Sequence, residues 1–246
     1  MDRVLIVTGA SRGIGAAIAQ RAAQDGWMVA VNYQRDAAAA AGVVAGIAAS
    51  GGRALAVQAD VARDDDIARL FDTVERELGP VHGLVNNAGI TGRLGSFTES
   101  DPASVEAVFR TNVLGLMQCS RRAVAAFRAH GRGGVIVNIS STAATAGSPG
   151  EYVAYAASKA AVDTFTMGLG KELAGEGIRV CGVAPGTTQT DIHTTAGDPG
   201  RPARVAGRIP MQRVGQPLEI AEAAVWLLSP AAAYVAATTL RVSGGA

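Results

Sequence analysis

The sequence predicts an α/β fold: one domain built on a doubly wound parallel sheet of about seven strands, with helices on both faces. Three observations carry that expectation. Short apolar runs alternate with helical stripes along the whole chain, as parallel strands joined by crossover helices require. The first run, Val4-Leu5-Ile6-Val7, is continuously apolar and reads as a strand buried on both faces. It runs directly into Thr8-Gly9-Ala10-Ser11-Arg12-Gly13-Ile14-Gly15, followed by Ile14, Ile18 and Ala22 at helical spacing.

Strand, glycine loop and helix in that order form the context of a dinucleotide site. Glycines let backbone N–H groups approach a pyrophosphate, and the helix N-terminus favours its negative charge. The spacing is Gly-x-x-x-Gly-x-Gly. The second strand, residues 27–33, ends Asn32-Tyr33-Gln34-Arg35, and Asp36 falls later. An NAD site places an acid near this point to bind the ribose 2′-hydroxyl. Here that acid is missing, while Arg12 and Arg35 suit a 2′-phosphate, because a guanidinium forks onto phosphate oxygens. The sequence therefore favours NADP(H) over NAD(H), against the plainer reading of two solvated arginines.

An Ala-rich helix over residues 37–50 ends at Gly51-Gly52. Residues 53–58 form a third strand, closed by Asp60-Val61. The helix after it carries Ile67, Leu70, Phe71, Val74 and Leu78 on one stripe. Asp64-Asp65-Asp66 at its start complements the helix dipole and reads as a cap. Residues 81–85 form a fourth strand ending Asn86-Asn87-Ala88-Gly89. A helix from about Ala103 places Asn112 inside its apolar stripe, so the amide is buried and needs partners. Two readings stay open for it: a satisfied core Asn, or an Asn holding a water beside an active site. Residues 135–139 form a fifth strand followed by Ser140-Ser141, and residues 178–183 a sixth, ending Ala184-Pro185-Gly186. Residues 187–217 are rich in Gly and Pro and read as a long loop acting as a lid. A last helix (218–228) and strand (238–242) complete the sheet. In the usual doubly wound order the first and fourth strands flank the switch point, where ligands bind.

Composition narrows the function. The 246 residues are 48% hydrophobic and 17% charged, with net charge +1, which disfavours nucleic acid or an anionic membrane as partner. Two cysteines make no disulfide framework, and no signal peptide or spanning segment is visible, so a cytoplasmic protein is expected. The three histidines lack ligand spacing, and no metal is implied.

The chemistry centres on Tyr155-Ala156-Ala157-Ser158-Lys159. Four residues apart on a helix, the phenol and the ammonium share one face. A free phenol has a pKa of about 10, and a fixed cation nearby lowers it, making Tyr155 a general acid/base for a carbonyl/alcohol pair. Lys159 is one of only two lysines in an Arg-rich chain. Tyr152 has no Lys four residues on and is set aside. A hydroxyl from Ser140 or Ser141 can bond a substrate oxygen.

With these motifs in order, the chain resembles the short-chain dehydrogenases/reductases over essentially its whole length. The matching elements are Thr8–Gly15, Asp60-Val61, Asn86–Gly89, Asn112, Ser141, Tyr155/Lys159 and Pro185-Gly186. The resemblance implies a Rossmann-like sheet and a catalytic set of Asn112, Ser141, Tyr155 and Lys159. In that set Tyr155 exchanges the proton, Lys159 lowers its pKa and binds the nicotinamide ribose, Ser141 orients the carbonyl, and Asn112 supports a water relay. Ser141 is preferred to Ser140 because the second of such a pair fits the family pattern; Thr142 stays open. The implied cofactor contacts are Gly9, Ser11, Arg12, Gly13, Ile14 and Gly15 in the loop, and Asn32, Tyr33 and Arg35 after the second strand. Asp60 and Val61 lie at the adenine, Asn87, Ala88 and Gly89 at the ribose, and Pro185, Gly186, Thr188 and Thr190 over the nicotinamide. Cys181 and Ser243 depart from the family's common residues, with consequences for local packing only.

The resulting expectation is NADP(H)-dependent interconversion of a carbonyl and a secondary alcohol, of sugar dehydrogenase or general ketone reductase type. A 3-oxoacyl-carrier-protein reductase is the alternative within the class. A non-catalytic NADP-binding redox sensor is the rival outside it, disfavoured by the complete catalytic set, as is a methyltransferase. Arg201, Arg204, Arg208 and Arg213 are candidates to attract an anionic substrate. The family likeness also implies a homotetramer built partly on the Asn112 and Tyr155 helices.

Overall fold

The computed structural model describes residues 3–246. Seven strands form one all-parallel sheet: β1 (Arg3–Val7), β2 (Trp27–Tyr33), β3 (Ala54–Gln58), β4 (Val81–Asn86), β5 (Gly134–Ile139), β6 (Ile178–Pro185) and β7 (Thr239–Val242). Their spatial order is β3-β2-β1-β4-β5-β6-β7. The chain winds outward from β1 to β3, returns to the other side of β1, and winds outward again. The switch point thus falls between β1 and β4, as the doubly wound reading requires.

The helices divide by face. One layer holds α1 (Gly13–Gln24), α2 (Ala37–Ala49) and α10 (Pro217–Leu228), which pack Ile18, Ile47 and Leu227 against Leu5 and Val7 of β1. The other holds α3 (Asp64–Leu78), α5 (Leu116–His130) and α7 (Val153–Leu173), which pack Leu70, Phe127 and Leu173 against Val4 and Ile6. Alternate residues of β1 feed opposite cores, the two-sided burial that its unbroken apolar run predicts. Asp64, Asp65 and Asp66 occupy the first turn of α3, and the Asp66 carboxylate accepts from the Asp60 N–H at 2.9 Å.

Two local features depart from the expectations. The helix carrying Asn112 is not uniform. It begins as α4 (Pro102–Phe109), passes through a π-helical turn over Arg110–Gly115, and continues as α5. Residues 187–217 are not all loop: after α6 (Ala143–Ala146) and α7, the short helices α8 (Ile192–Thr195) and α9 (Arg201–Ala206) lie within them. Among the described residues no helix is long and apolar enough to cross a membrane, and no three His, Cys, Asp or Glu gather as metal ligands do.

At the N-terminal end of β4, on the opposite end of the sheet from the glycine loop, His82 and His130 stack with ring centres 5.0 Å apart. His82 Nδ1 accepts the Val4 N–H at 3.3 Å. His130 Nδ1 accepts the Arg132 N–H at 3.2 Å, while Nε2 lies 2.9 Å from the Val81 carbonyl. Burial holds His82 below its ordinary pKa; His130, Arg132 and Arg3 act the same way, and a hydrogen bond with the Pro80 backbone opposes them. A histidine whose folded pKa is depressed supports the fold above its unfolded value of about 6.5 and loses that support as pH falls through it. The melting temperature is therefore expected to drop as pH falls below about 6.5, and less steeply in His82→Gln, measured by thermal unfolding at matched ionic strength.

Candidate active site

The loop from β1 to α1 takes its shape from side chains that reach it from neighbouring strands. Gly9 has φ +61°, and a Cβ there would lie 2.9 Å from the Ala88 backbone. A Cβ at Gly15 would lie 2.4 Å from Asn87 Nδ2 and 2.5 Å from the Gly9 carbonyl. Both positions exclude any side chain. Asn87 Nδ2 donates to the Thr8 and Gly9 carbonyls at 2.9 and 3.0 Å, and Thr8 Oγ1 accepts from the Asn87 and Ala88 N–H groups. The missing side chains thus let the loop pack directly onto the turn after β4, and the loop leads into the N-terminus of α1, whose N–H groups suit a phosphate. Ser11, Arg12, Gly13 and Ile14 lie on it, and Thr190 covers it: a Cβ on Gly13 would be 3.4 Å from Thr190 Cγ2.

Not every expected cofactor contact faces this space. Asn32 is 1% exposed, and its amide is spent inside the protein. Oδ1 accepts the Gly9 N–H at 3.2 Å, Nδ2 donates to the Ala59 carbonyl at 3.0 Å, and its own carbonyl accepts from Ala10. It ties the glycine loop to the end of β3, and this commitment differs from the direct contact expected of it. Thr188 is likewise buried, its hydroxyl donating to the Gly186 carbonyl at 3.0 Å. Pro185 ends β6, and its carbonyl accepts from Thr142, which joins the Ser141 turn to the Pro185-Gly186 turn. Val61 is buried in the second core, and Asp60 Oδ1 accepts from Ala62. Gly115, at the end of the π-helical turn, lets that helix approach Val61: a Cβ there would be 2.4 Å from the Val61 carbonyl. Arg12 and Arg35 are exposed, and Tyr33 packs partly against the first core.

The catalytic candidates meet where β4, β5 and α7 converge. Asn112 is 0% exposed. Its Oδ1 accepts the Ile90 N–H at 2.9 Å, and its Nδ2 donates to the Ile90 carbonyl at 2.9 Å and to Ser158 Oγ at 3.0 Å. Ser158 in turn donates to the Tyr155 carbonyl at 2.7 Å. The amide is satisfied within the protein, and it clamps the Gly89-Ile90 turn to α7. Ser140 points inward, donating to the Lys159 carbonyl. Ser141 is the neighbouring serine whose hydroxyl acts on the Tyr155 phenol. Cys181 is packed in the first core, its thiol donating to the Val235 carbonyl.

Electrostatics at the pair differ from the expectation drawn from spacing. Burial pushes the Tyr155 phenol above its ordinary value, and the hydrogen bond from Ser141 works in the opposite direction. Lys159 Nζ lies 5.6 Å from the centre of the Tyr155 ring and donates to the Ile139 carbonyl at 2.7 Å. The charge lies over the ring face, and with burial the largest influence the phenol ends up raised, not lowered. Lys159 itself is 4% exposed, and burial lowers its pKa to about 8.

The fold and this cluster define a dinucleotide-binding oxidoreductase. A family model described as enoyl-(acyl carrier protein) reductase matches residues 9–246. The chain is 46% identical over 244 residues to an uncharacterized oxidoreductase, YgfF, of Escherichia coli, covering 98% of this chain and 99% of that one. It is 40% identical to 3beta-hydroxysteroid dehydrogenase 1 of Eggerthella lenta, covering 99% and 93%. With the 3-oxoacyl-(acyl-carrier-protein) reductase FabG of Staphylococcus aureus the identity is 37%, covering 100% and 98%. The chain belongs to the short-chain dehydrogenase/reductase family and is an NAD(P)-dependent dehydrogenase or reductase.

Two stability measurements follow. Gly15→Ala places a methyl against Asn87 and is expected to cost about 1–3 kcal/mol in denaturant unfolding. Lys159→Met is expected to raise stability at pH 7 by roughly 2 kcal/mol, since it removes a buried charge but strands the Ile139 carbonyl. Because the folded pKa lies below the unfolded one of about 10.4, the wild type recovers that cost as pH rises from 8. The gap between the two proteins should narrow over the same range.

Proposed function

We propose that the protein interconverts a carbonyl and a secondary alcohol with NADP(H), using Tyr155 as the acid/base. The observation that carries this reading is the buried Lys159 ammonium 5.6 Å from the centre of the Tyr155 ring, one helical turn away, with Ser141 acting on the phenol. Ser141 holds the substrate oxygen, and Tyr155 gives its phenolic proton to that oxygen during reduction or takes it during oxidation. A phenol held above its ordinary pKa is fully protonated near neutrality, the state that reduction needs. The Lys159 ammonium, across the ring face, offsets charge that builds on the phenolate. Asn112, through Ile90 and Ser158, positions the helix that carries both residues. When bound, the nicotinamide coenzyme supplies or accepts the hydride.

The residues suited to hold that coenzyme are the loop Gly9–Gly15, which opens onto the N-terminus of α1, then Asn87, Ala88 and Gly89, and Thr190 above the loop. Asp60, Tyr33, Pro185 and Gly186 complete the surround, with Val61 and Thr188 packed behind them, and Lys159 would meet the nicotinamide ribose. The preference for the 2′-phosphate is supported by the fate of the nearest acid. Asp36 is spent capping α2, where its carboxylate accepts the Ala39 N–H at 2.9 Å. Arg12 and Arg35 stand exposed and form no ion pair among the described residues. The substrate is a ketone or secondary alcohol of the sugar-dehydrogenase or general-reductase kind. The 3-oxoacyl-carrier-protein reductases among the relatives keep an acyl-thioester substrate as the second reading. We place the protein in the cytoplasm as a homotetramer, with exposed Leu114 and Met167 on the helices carrying Asn112 and Tyr155 available for burial between subunits.

Tyr155→Phe should keep coenzyme affinity and lose at least about 100-fold in turnover, read by coenzyme fluorescence titration and steady-state kinetics. Undiminished turnover would contradict the assignment. Wild-type NADPH should be consumed faster than NADH at equal subsaturating concentration, and exchanging Arg35 for Glu should reverse that order.

A further inference from the structure

The four arginines of residues 187–217 do not share one fate. Arg204 is paired with Asp198, and Arg213 grips Glu219 through bonds of 2.7 and 2.6 Å. Arg208 stands exposed. Arg201, at the start of α9, turns inward instead, with its side chain 16% exposed. One terminal nitrogen donates to Glu151 Oε2 at 2.7 Å, and the other to Thr187 Oγ1 at 3.3 Å. The guanidinium carbon lies 5.4 Å from the centre of the Tyr152 ring.

Two polar atoms in this cluster are buried without a partner among the described residues: Arg201 Nε and Tyr152 Oη. Tyr152 is only 7% exposed, so bulk water does not solvate its hydroxyl. A buried donor left unmade costs stability, and such a group in a native fold calls for an explanation. Phenylalanine would fill the same ring site without that cost. The cluster abuts the reacting residue: the Tyr152 and Tyr155 rings meet edge to face with centres 6.3 Å apart. Glu151 cancels the guanidinium charge, so what remains for a ligand is hydrogen-bonding capacity rather than attraction for an anion.

We infer that Tyr152 and Arg201 form a specificity subsite for a second, uncharged oxygen of the substrate, a hydroxyl or carbonyl near the reacting carbonyl. The inference rests on the carbonyl/alcohol reading above. An oxygen seated there accepts from Arg201 Nε–H and from the Tyr152 hydroxyl; a substrate hydroxyl also donates back to Tyr152. A site built around buried donors rejects an analogue that leaves them unpaired far more strongly than a site of plain apolar shape does.

The test uses pairs of neutral ketones that differ only by hydroxyl or methyl at the α, β or γ carbon, assayed with the full-length protein at saturating coenzyme. In at least one pair the wild-type kcat/KM should favour the hydroxylated member by about tenfold or more. Tyr152→Phe, and separately Arg201→Lys, which keeps the charge opposite Glu151 but loses Nε–H, should each bring that ratio at least about fivefold closer to one. The melting temperature of Tyr152→Phe should be unchanged or higher, because only an unpartnered hydroxyl is removed. A fall in melting temperature, or an unchanged ratio in both variants, would overturn the subsite. Wild-type turnover that ignores the hydroxyl in every pair would overturn the subsite and leave the carbonyl reading standing. Turnover of no pair at all would remove both.

Discussion

The site depends on a set of buried polar bonds that crosses the sheet where its strands end. Thr8, at the end of β1, accepts from the backbone of Asn87 and Ala88 after β4. Asn86 Nδ2 donates to Asn138 Oδ1 on β5 and to Ser120 Oγ on α5, at 2.9 and 3.0 Å. Asn138 passes the connection to Thr166 on α7, and Asn112 ties the turn after β4 to Ser158 on the same helix. Asn86 Oδ1 is buried without a partner among the described residues, but the bonds that do form hold one arrangement of β1, β4, β5 and α7. The glycine loop and the Tyr155 helix are therefore positioned by one connected framework. Packing of Val, Ile and Leu stabilises the layers, but it does not discriminate between nearby positions as directional bonds do.

Within that frame, burial sets the chemistry. It raises Tyr155 and lowers Lys159, which brings a weak acid and a weak base towards one another. Perturbation of this kind gathers at functional sites, and here the geometry agrees. The charge compensation around Arg201, Arg204 and Arg213 weighs against an anionic substrate, for which the sequence made them candidates. Three of the four arginines that were candidates for binding an anion are matched to Glu151, Asp198 and Glu219.

Much of the fold was legible because its signals are local. Val4–Val7 could only be a two-sided strand, and each later strand run found its place in the sheet; the bounds of β2 match the expected ones. Tyr155 and Lys159 announced themselves by spacing and by the rarity of lysine. What stayed hidden needed three dimensions. Spacing placed Lys159 on the face of Tyr155, but not its ammonium on the Ile139 carbonyl. Asn32 lies in a strand buried on both faces, so alternation did not reveal that its amide turns inward. The π-helical turn at Arg110–Gly115 uses ordinary helical dihedrals at its ends, and no residue type marks it. The glycines and prolines of 187–217 masked α8 and α9, and with them the inward turn of Arg201. His82 and His130 meet across 48 positions of sequence, beyond the reach of any local pattern.

In the proposed reaction a buried Lys159 charge supports the Tyr155 phenolate left when the proton is given to substrate. The most direct measurement is kcat/KM for ketone reduction from pH 6 to 10. Lys159 is charged below its pKa of about 8 and neutral above it. The account predicts a plateau at the acid end and a fall as pH rises through about 8, with that fall absent from the residual activity of Lys159→Met. A wild-type rate that stays level through pH 9 would contradict it.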